Sequence, residues 1–448
     1  MENYDVVILG GGNAGMGVTV ATRAAGLSVA MIEARDLGGT CPNRGCTPKK
    51  VLVAAAHAVH DIERAGQHRI AVSKPKLDWA ALIAREKDII RNIPDRLAGV
   101  MAKRGVDVIF GKAAFIGSHA ISVDGRRLEA KNIVIATGSK PRSLPVPGAE
   151  HMANSDDVLN DPVLPRDVVF VGGGVIAFEL GHVYARAGAK VTILEALPHL
   201  LGSLDADAVA QIRSESERIG IRLFTLAWVK RIESSNKRLR VTFAIDGNES
   251  TIDADRVVNG AGRVANVDEL DLGAGVVVHR EGRIEIDEHL RSRSNPDVYV
   301  CGDAVWNSSQ LSPVATYEGT LVGRNIVDGP IHRPDYAQIP ASVYTIPAVA
   351  SVGLTEAKAR EQGFAVKVYA NDMQDWLSAR THAETAAWSK IIVETTTDKI
   401  LGAHMVGHAG EELIHMFALA MKHGITAPQL SDAVYSFPTF SADIGNMM

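Results

Sequence analysis

The stretch Asp5-Val6-Val7-Ile8-Leu9-Gly10-Gly11-Gly12-Asn13-Ala14-Gly15 decides the fold of this chain. An apolar run with strand character enters Gly10-x-Gly12-x-x-Gly15, and an Ala-rich helical stretch follows to about Ala25. The next apolar run, Ser28 to Ile32, ends in Glu33, 23 residues past Gly10. Glycines at this spacing let the backbone approach a pyrophosphate at a helix N-terminus, and the acid accepts hydrogen bonds from ribose hydroxyls. Gly10, Gly12, Asn13, Ala14, Gly15 and Glu33 are therefore expected to form a dinucleotide site.

The design returns at Val168-Val169-Phe170-Val171-Gly172-Gly173-Gly174-Val175-Ile176-Ala177, followed by a helix through Ala187 and a strand from Lys190 to Leu194. Glu195 again stands 23 residues past the first glycine. Repetition of strand, glycines, helix and acid at one spacing predicts two bound dinucleotides, the second at Gly172, Gly174, Val175, Ile176 and Glu195. An acid at the ribose position repels the 2′-phosphate of NADPH, and Ala196 and Leu201 supply no cation for it, so the second site is expected to take NADH.

At 448 residues the chain is about three times the usual ~150 residues of a domain. The fold class expected is α/β with two Rossmann-like dinucleotide-binding domains. Residues 1–143 close with the apolar strand Asn132 to Gly138, and Pro141, Pro145 and Pro147 punctuate the passage into residues 144–264. Residues 265–330 carry Val300-Cys301-Gly302-Asp303 and a helical run after Pro313, and 331–448 mix strands with a helix around Glu411–Lys422. With 47 basic against 52 acidic residues, no global basic field exists to hold nucleic acid or anionic lipid. The absence of a membrane-length apolar run, and a start without a basic segment, predict a cytoplasmic protein.

The cysteines carry the chemistry. Glu33 leads to Gly38-Gly39-Thr40-Cys41-Pro42-Asn43-Arg44-Gly45-Cys46-Thr47-Pro48-Lys49-Lys50 and a helical run from Val51 to about Ala65. A thiol at the start of a helix is biased toward thiolate by the amide dipoles, which makes it nucleophilic near neutral pH. A zinc site would need further ligands at metal-like spacing; none accompanies this pair, so no metal is expected. Cys301 reads as a small core residue, and His57, His60, His404 and His415 as helix-face or core histidines.

Gly-Gly-Thr-Cys-x4-Cys-x-Pro-Lys-Lys, the two glycine fingerprints, Ala136-Thr137-Gly138 and Val300-Cys301-Gly302-Asp303 together resemble the class I pyridine nucleotide-disulfide oxidoreductases, the family of glutathione reductase, dihydrolipoamide dehydrogenase and mercuric reductase. The resemblance implies FAD at the first fingerprint, a nicotinamide nucleotide at the second, and a C-terminal α+β domain from about residue 331 that makes a homodimer. It implies that Cys46 is the sulfur beside the flavin and Cys41 the interchange sulfur facing a small-molecule substrate. Lys49 would lie near the flavin and pair with Glu179. Asp303 would bond the ribitol chain, and the helix containing Ala315 would point at the flavin ring. Further cofactor contacts are implied at Gly39, Thr40, Lys50, Thr137, Gly138, Gly262, Arg263 and Gly302.

The chain departs from that family at its C-terminus. Where the disulfide reductases carry His-Pro-Thr with a Glu five residues after the His, this chain has Phe437-Pro438-Thr439 and Ala442. A phenyl ring exchanges no proton, so general acid–base help of roughly 10²–10⁴-fold is missing from that position. Tyr435 and Asp443 are candidate substitutes. Val20 and Thr320 occupy positions where glutathione reductases hold arginines, which argues against glutathione disulfide. The extra C-terminal cysteine pair of mercuric reductase is absent from a chain ending Asn446-Met447-Met448. The expected activity is electron transfer from the nicotinamide through FAD to the Cys41–Cys46 disulfide, and on to a disulfide or other sulfur substrate. The alternatives are a quinone or metal-ion reductase, and a flavoprotein subunit or redox sensor within a larger complex.

Overall fold

In the computed structural model, which describes residues 2–236 and 238–448, the chain forms two compact units, each assembled from separate stretches. The first takes the residues up to Lys49, then Arg85–Arg142 and Arg263–Asp335. The second takes Lys50–Ala84, Ser143–Gly262 and Tyr336–Met448.

In the first unit the strand Glu2–Leu9 runs parallel between Val29–Glu33 and Arg126–Ile135. Asp107–Phe110 extends the sheet on one side, and Val298–Val300 pairs with Arg126–Ile135 on the other. Val6, Val7, Ile8 and Leu9 are all buried, the continuous apolar run of a strand covered on both faces. Register aligns Leu9 with Ile135 and Ile135 with Val300. Three segments therefore leave the carboxyl edge side by side: Gly10 to Gly12, Ala136 to Gly138, and Cys301 to Asp303. That edge is where ligands bind in open parallel sheets.

The helix Asn13–Ala24 packs against the helix Ser312–Asp328 almost backbone to backbone. A Cβ on Gly319 would lie 2.0 Å from the Ala14 carbonyl oxygen, and one on Gly323 would lie 2.6 Å from that of Val18. Only glycine permits so close an approach. The second helix is thereby carried to the start of the first, which sets its N-terminal residue Ser312 beside the cysteine loop.

The second unit repeats the parallel sheet in the order Arg222–Phe224, Lys190–Leu194, Asp167–Val171, Arg256–Asn259. Its helix Val175–Ala187 stops at Gly188, whose φ of +102° suits a left-handed cap. An antiparallel sheet of Trp228–Ser235, Arg238–Ile245 and Asn248–Ala254 is inserted before the last strand. It is absent from the expectations above because its strands are largely polar on one face and carry no motif. The C-terminal stretch forms a five-stranded antiparallel sheet, backed by the helix Gly410–His423 through Leu413, Ile414 and Phe417.

Two interior contacts tie this unit together. Trp79 stacks on Tyr184 at 5.1 Å and donates its indole N–H to the Asp161 carbonyl at 2.9 Å. Lys390, 4% exposed, meets Asp205 at 3.2 Å, Asp207 at 2.7 Å and Glu356 at 2.8 Å. Buried charge is tolerated there because every partner is ionic. Among the described residues no helix is long and apolar enough to cross a membrane.

Candidate active site

The three glycines of the first fingerprint do different work. Gly10 holds φ +113°, and a Cβ there would lie 2.3 Å from the Ala136 oxygen; a Cβ on Gly15 would lie 2.1 Å from the Gly10 oxygen. Those two are demanded by packing. At Gly12 the nearest protein atom to an added Cβ is the Cα of Gly39, 3.8 Å away, so the fold itself leaves room there. Gly138 is similar, with φ +70° and nothing within 4 Å. The Thr137 hydroxyl between these loops is buried without a protein partner. Open glycine edges beside an unsatisfied buried hydroxyl at the carboxyl end of a parallel sheet fit FAD.

Glu33 does more than face a ribose. It is buried, and its two carboxylate oxygens accept from the Gly11 N–H at 2.8 Å and the Arg35 N–H at 2.7 Å. Glu195 repeats the device, accepting from the Gly173 N–H at 2.6 Å and the Leu197 N–H at 2.7 Å. In both repeats the acid fixes the glycine turn and retains acceptor capacity toward a ligand. In the second fingerprint Gly172 is again required, with φ +105° and a Cβ position 2.5 Å from the Gly260 carbonyl. Gly174 has more room, its nearest neighbour being the Gly260 oxygen at 3.5 Å. Val175 and Ile176 open the helix beyond it, with Val175 43% exposed at its first turn.

Asp303 and Arg263 belong to one network in the first unit. The Ser139 hydroxyl donates to Asp303 Oδ2 at 2.9 Å, and Arg263 donates to that hydroxyl at 2.9 Å and to the Ser139 carbonyl at 2.6 Å. Burial pushes the Asp303 carboxyl up from its ordinary value, against the Ser139 bond and the Arg263 charge. Gly262, at φ +93° with nothing within 4 Å, leads into this arginine. Gly302 is also left-handed, and its N–H donates to the buried Glu318 at 2.6 Å. Ala315 is buried one turn into the helix Ser312–Asp328. Cys301 is wholly buried, and desolvation followed by the Glu318 charge drives its thiol well above the usual range, which disfavours the thiolate and fits a core residue.

The active pair is split between two helices. Cys41 lies in the short helix Thr40–Arg44, Gly45 breaks it, and Cys46 is the first residue of the helix Cys46–Arg64. This helix begins five residues earlier than the apolar run from Val51 announces, because Pro48 fits the first turn of a helix. The Cys41 thiol is pushed down to about 6, first by a hydrogen bond from the Cys46 thiol and then by Ser312, the Cys46 backbone N–H and the Lys49 charge, with burial opposing. Cys41 is half-buried and Cys46 exposed. These donors and the Lys49 charge favour the ionised form of Cys41. Ser312 has no motif around it, and only the helix packing described above brings it here. The Asn13 side-chain amide donates to the Ser312 hydroxyl, so Asn13 acts on the cysteine loop through that serine.

Gly39, at φ +64°, abuts Gly12, with a Cβ position 2.9 Å from the Gly12 Cα, and Thr40 follows it at the start of the cysteine helix. Lys49 stands in the first unit, one turn past Cys46. Glu179 lies in the second, 4% exposed, and accepts from the Tyr344 N–H at 2.8 Å. Lys50 sets its ammonium 3.8 Å over the Tyr344 ring.

Asp443, one of the two C-terminal candidates, is engaged within the fold: its Oδ2 faces His408 Nε2 at 2.8 Å and also takes the Ser378 hydroxyl. The Tyr435 hydroxyl donates to the Leu430 carbonyl at 2.7 Å. Phe437 is 75% exposed and Val434 fully so. Val20 is exposed on the first helix, and the Thr320 hydroxyl is turned inward onto the Thr316 carbonyl at 2.9 Å.

Known proteins share this arrangement. The family described as pyridine nucleotide-disulphide oxidoreductase matches residues 4–319, and its dimerisation domain matches 339–448. A dihydrolipoyl dehydrogenase of Chlamydia muridarum is 33% identical over 98% of this chain and 95% of its own length. A mercuric reductase of Lysinibacillus sphaericus is 30% identical over 98% of this chain and 81% of its own. Among solved structures, the HOCl-induced flavoprotein disulfide reductase RclA of Escherichia coli superposes with a TM-score of 0.88 at 28% identity, over 99% of each chain. Its Cu(II) complex superposes at 0.89 with 26% identity, over 100% of this chain and 99% of that one. Fingerprints, cysteine pair, C-terminal sheet and these likenesses agree: the chain belongs to the class I pyridine nucleotide-disulphide oxidoreductases, FAD-dependent enzymes that use a pyridine nucleotide and carry a dimerisation domain.

Proposed function

We propose that this oxidoreductase takes electrons from NADH, passes them by way of FAD to Cys41 and Cys46, and delivers them to a thiophilic metal ion such as Cu(II) or Hg(II). The observation that carries this reading is the lowered Cys41 thiol in a chain that has Phe437 where the disulfide reductases carry a proton-transferring histidine. Reduction of a disulfide releases a thiolate that must be protonated, because an ordinary thiol has a pKa near ~8.5. A soft metal ion held by thiolate sulfur asks for no such proton. The family relatives named mercuric reductase and the Cu(II) complex of RclA support the same acceptor class.

FAD is held, in this reading, by the Gly10–Gly15 turn, Glu33, Thr137, Gly138 and the Asp303 network; bound there, it supplies the two-electron step between nicotinamide and sulfur. The rest is the work of the chain. The Cys46 thiol, Ser312, the Cys46 N–H and the Lys49 charge favour an ionised Cys41. Glu195 fixes the second glycine turn and opposes a 2′-phosphate, and residues 196–201 offer no lysine or arginine, which favours NADH. The dimerisation domain makes the working form a homodimer.

A second reading, a small disulfide as acceptor, is favoured by the match to dihydrolipoyl dehydrogenase along nearly its whole length. The test is NADH oxidation by the purified holoenzyme with Cu(II), Hg(II), a disulfide panel and a quinone panel, in wild type and Cys41→Ser. Metal-dependent turnover that the substitution abolishes supports the proposal. Turnover of disulfides alone selects the second reading, and quinone turnover that survives Cys41→Ser overturns both.

A further inference from the structure

His408 takes no part in the chemistry above, yet its ring is held on both nitrogens by carboxylates. It is 0% exposed, with Nε2 2.8 Å from Asp443 Oδ2 and Nδ1 3.1 Å from Glu384 Oε2. Its own backbone N–H donates to the other Glu384 oxygen at 2.9 Å. Each ring nitrogen thus faces a different carboxylate. The Phe440 ring meets it edge-on at 4.7 Å.

The backbone there is strained. Gly407, His408 and Ala409 are successively left-handed, at φ +68°, +58° and +51°, between the strand Ile400–Val406 and the helix Gly410–His423. Two non-glycine residues in that conformation persist only where the surroundings over-determine them, and such outliers concentrate where a fold does a task. What the bridge holds is clear from connectivity. Glu384 follows the short helix Leu377–Thr381, and Asp443 lies in the turn Phe440–Asn446 that ends the irregular stretch 432–439. That stretch presents Val434 and Phe437 to the outside.

We infer that His408 is a positioning residue for the acceptor step: by bridging Glu384 and Asp443 it fixes the loop that presents Phe437. The inference rests on the reading that this loop serves the acceptor side of the enzyme. Two carboxylate contacts and an aromatic contact converge on one ring, so neither a glutamine nor a leucine reproduces the bridge.

The experiment uses the FAD-loaded dimer of wild type, His408→Gln, Phe437→Ala and the double variant. Hydrogen exchange by mass spectrometry is expected to quicken in peptides covering 432–446 of His408→Gln and nowhere else. Stopped-flow reduction of the bound flavin by NADH is expected to be unchanged. With Cu(II), and separately with cystine, kcat/KM is expected to fall about tenfold through KM, and the double variant to be no worse than Phe437→Ala. Additive losses, slowed flavin reduction, exchange spread over the whole C-terminal sheet, or unchanged acceptor kinetics would each overturn the inference. A silent Phe437→Ala refutes the loop reading itself, which separates the two failures. Should His408→Gln not assemble, Asp443→Asn keeps the shape and loses the charge: the same localised pattern upholds the inference, and wild-type kinetics overturn it.

Discussion

Removing one hydroxyl tests the account of the cysteine pair. Ser312 donates to Cys41, and because the Asn13 amide already donates to the serine oxygen, the hydroxyl proton is left for the sulfur. Ser312→Ala deletes one hydrogen bond to an ionised group, worth about 1.5 kcal/mol, or about one pH unit at 1.36 kcal/mol per unit. The Cys41 thiol, pushed down to about 6 in the intact site, then titrates about one unit higher. The sign is that of a depressed acid: thiolate is present above the folded value and lost as pH falls through it. At pH 6 the thiolate fraction drops from about one half to about one tenth, so iodoacetamide modifies Cys41 about fivefold more slowly. At pH 8 the two proteins differ little. The assay is the alkylation rate of the Cys41 peptide by mass spectrometry on anaerobically reduced protein, from pH 5 to 9, with Ser312→Thr as a control that retains the hydroxyl. An unmoved midpoint in Ser312→Ala, or one that falls, would refute the reasoning.

The glycines predict a contrast: Gly12→Ala, whose Cβ meets protein no closer than 3.8 Å, should keep the apoprotein's melting temperature while FAD content at 450 nm falls roughly tenfold or more. Gly15→Ala, facing the Gly10 oxygen at 2.1 Å, should yield no folded chain at all. Trp79→Ala removes the stack on Tyr184 and a buried hydrogen bond, and should cost about 3–5 kcal/mol in urea titration. Lys390→Ala leaves Asp205 and Glu356 without their buried cation and should cost about 3–5 kcal/mol at pH 7. In wild type, hydrogen bonding from Lys390, opposed by burial, holds Glu356 below the usual carboxylate range. Burial lowers Lys390, but the hydrogen bonds it donates to Asp207 and Glu356 outweigh that and hold it above its own ordinary value. The Lys390 contribution should therefore vanish at the acid end as pH falls through the lowered Glu356 value and at the alkaline end as pH rises through the raised Lys390 value, which pH-resolved melting curves will show.

Much of the architecture is legible because its determinants are local. Gly10, Gly12, Gly15 and Glu33 sit on one strand–turn–helix–strand unit, and the second copy at Gly172 to Glu195 stands at the same spacing, so pattern suffices to read two nucleotide folds. The antiparallel insert Trp228–Ala254 escapes that reading because short polar strands pair across turns without any distinguishing periodicity. The partners of Asp443, His408 and Ser378, are likewise brought to it by packing alone. Ser312 and His408 carry no local signal either, since each acquires its role from partners far along the chain.

The sequence by itself determined the chemistry available: two glycine turns for two dinucleotides, a Cys-x4-Cys pair, and Phe437 where the family carries a proton-transferring histidine. The tertiary structure alone decided which donors surround Cys41 and which backbone amides Glu33 and Glu195 hold. The reason is physical. A motif specifies what a short segment can do, whereas ionisation and orientation depend on the donors, charges and burial around an atom, and the packing of the helices Asn13–Ala24 and Ser312–Asp328 is what brings those neighbours to Cys41.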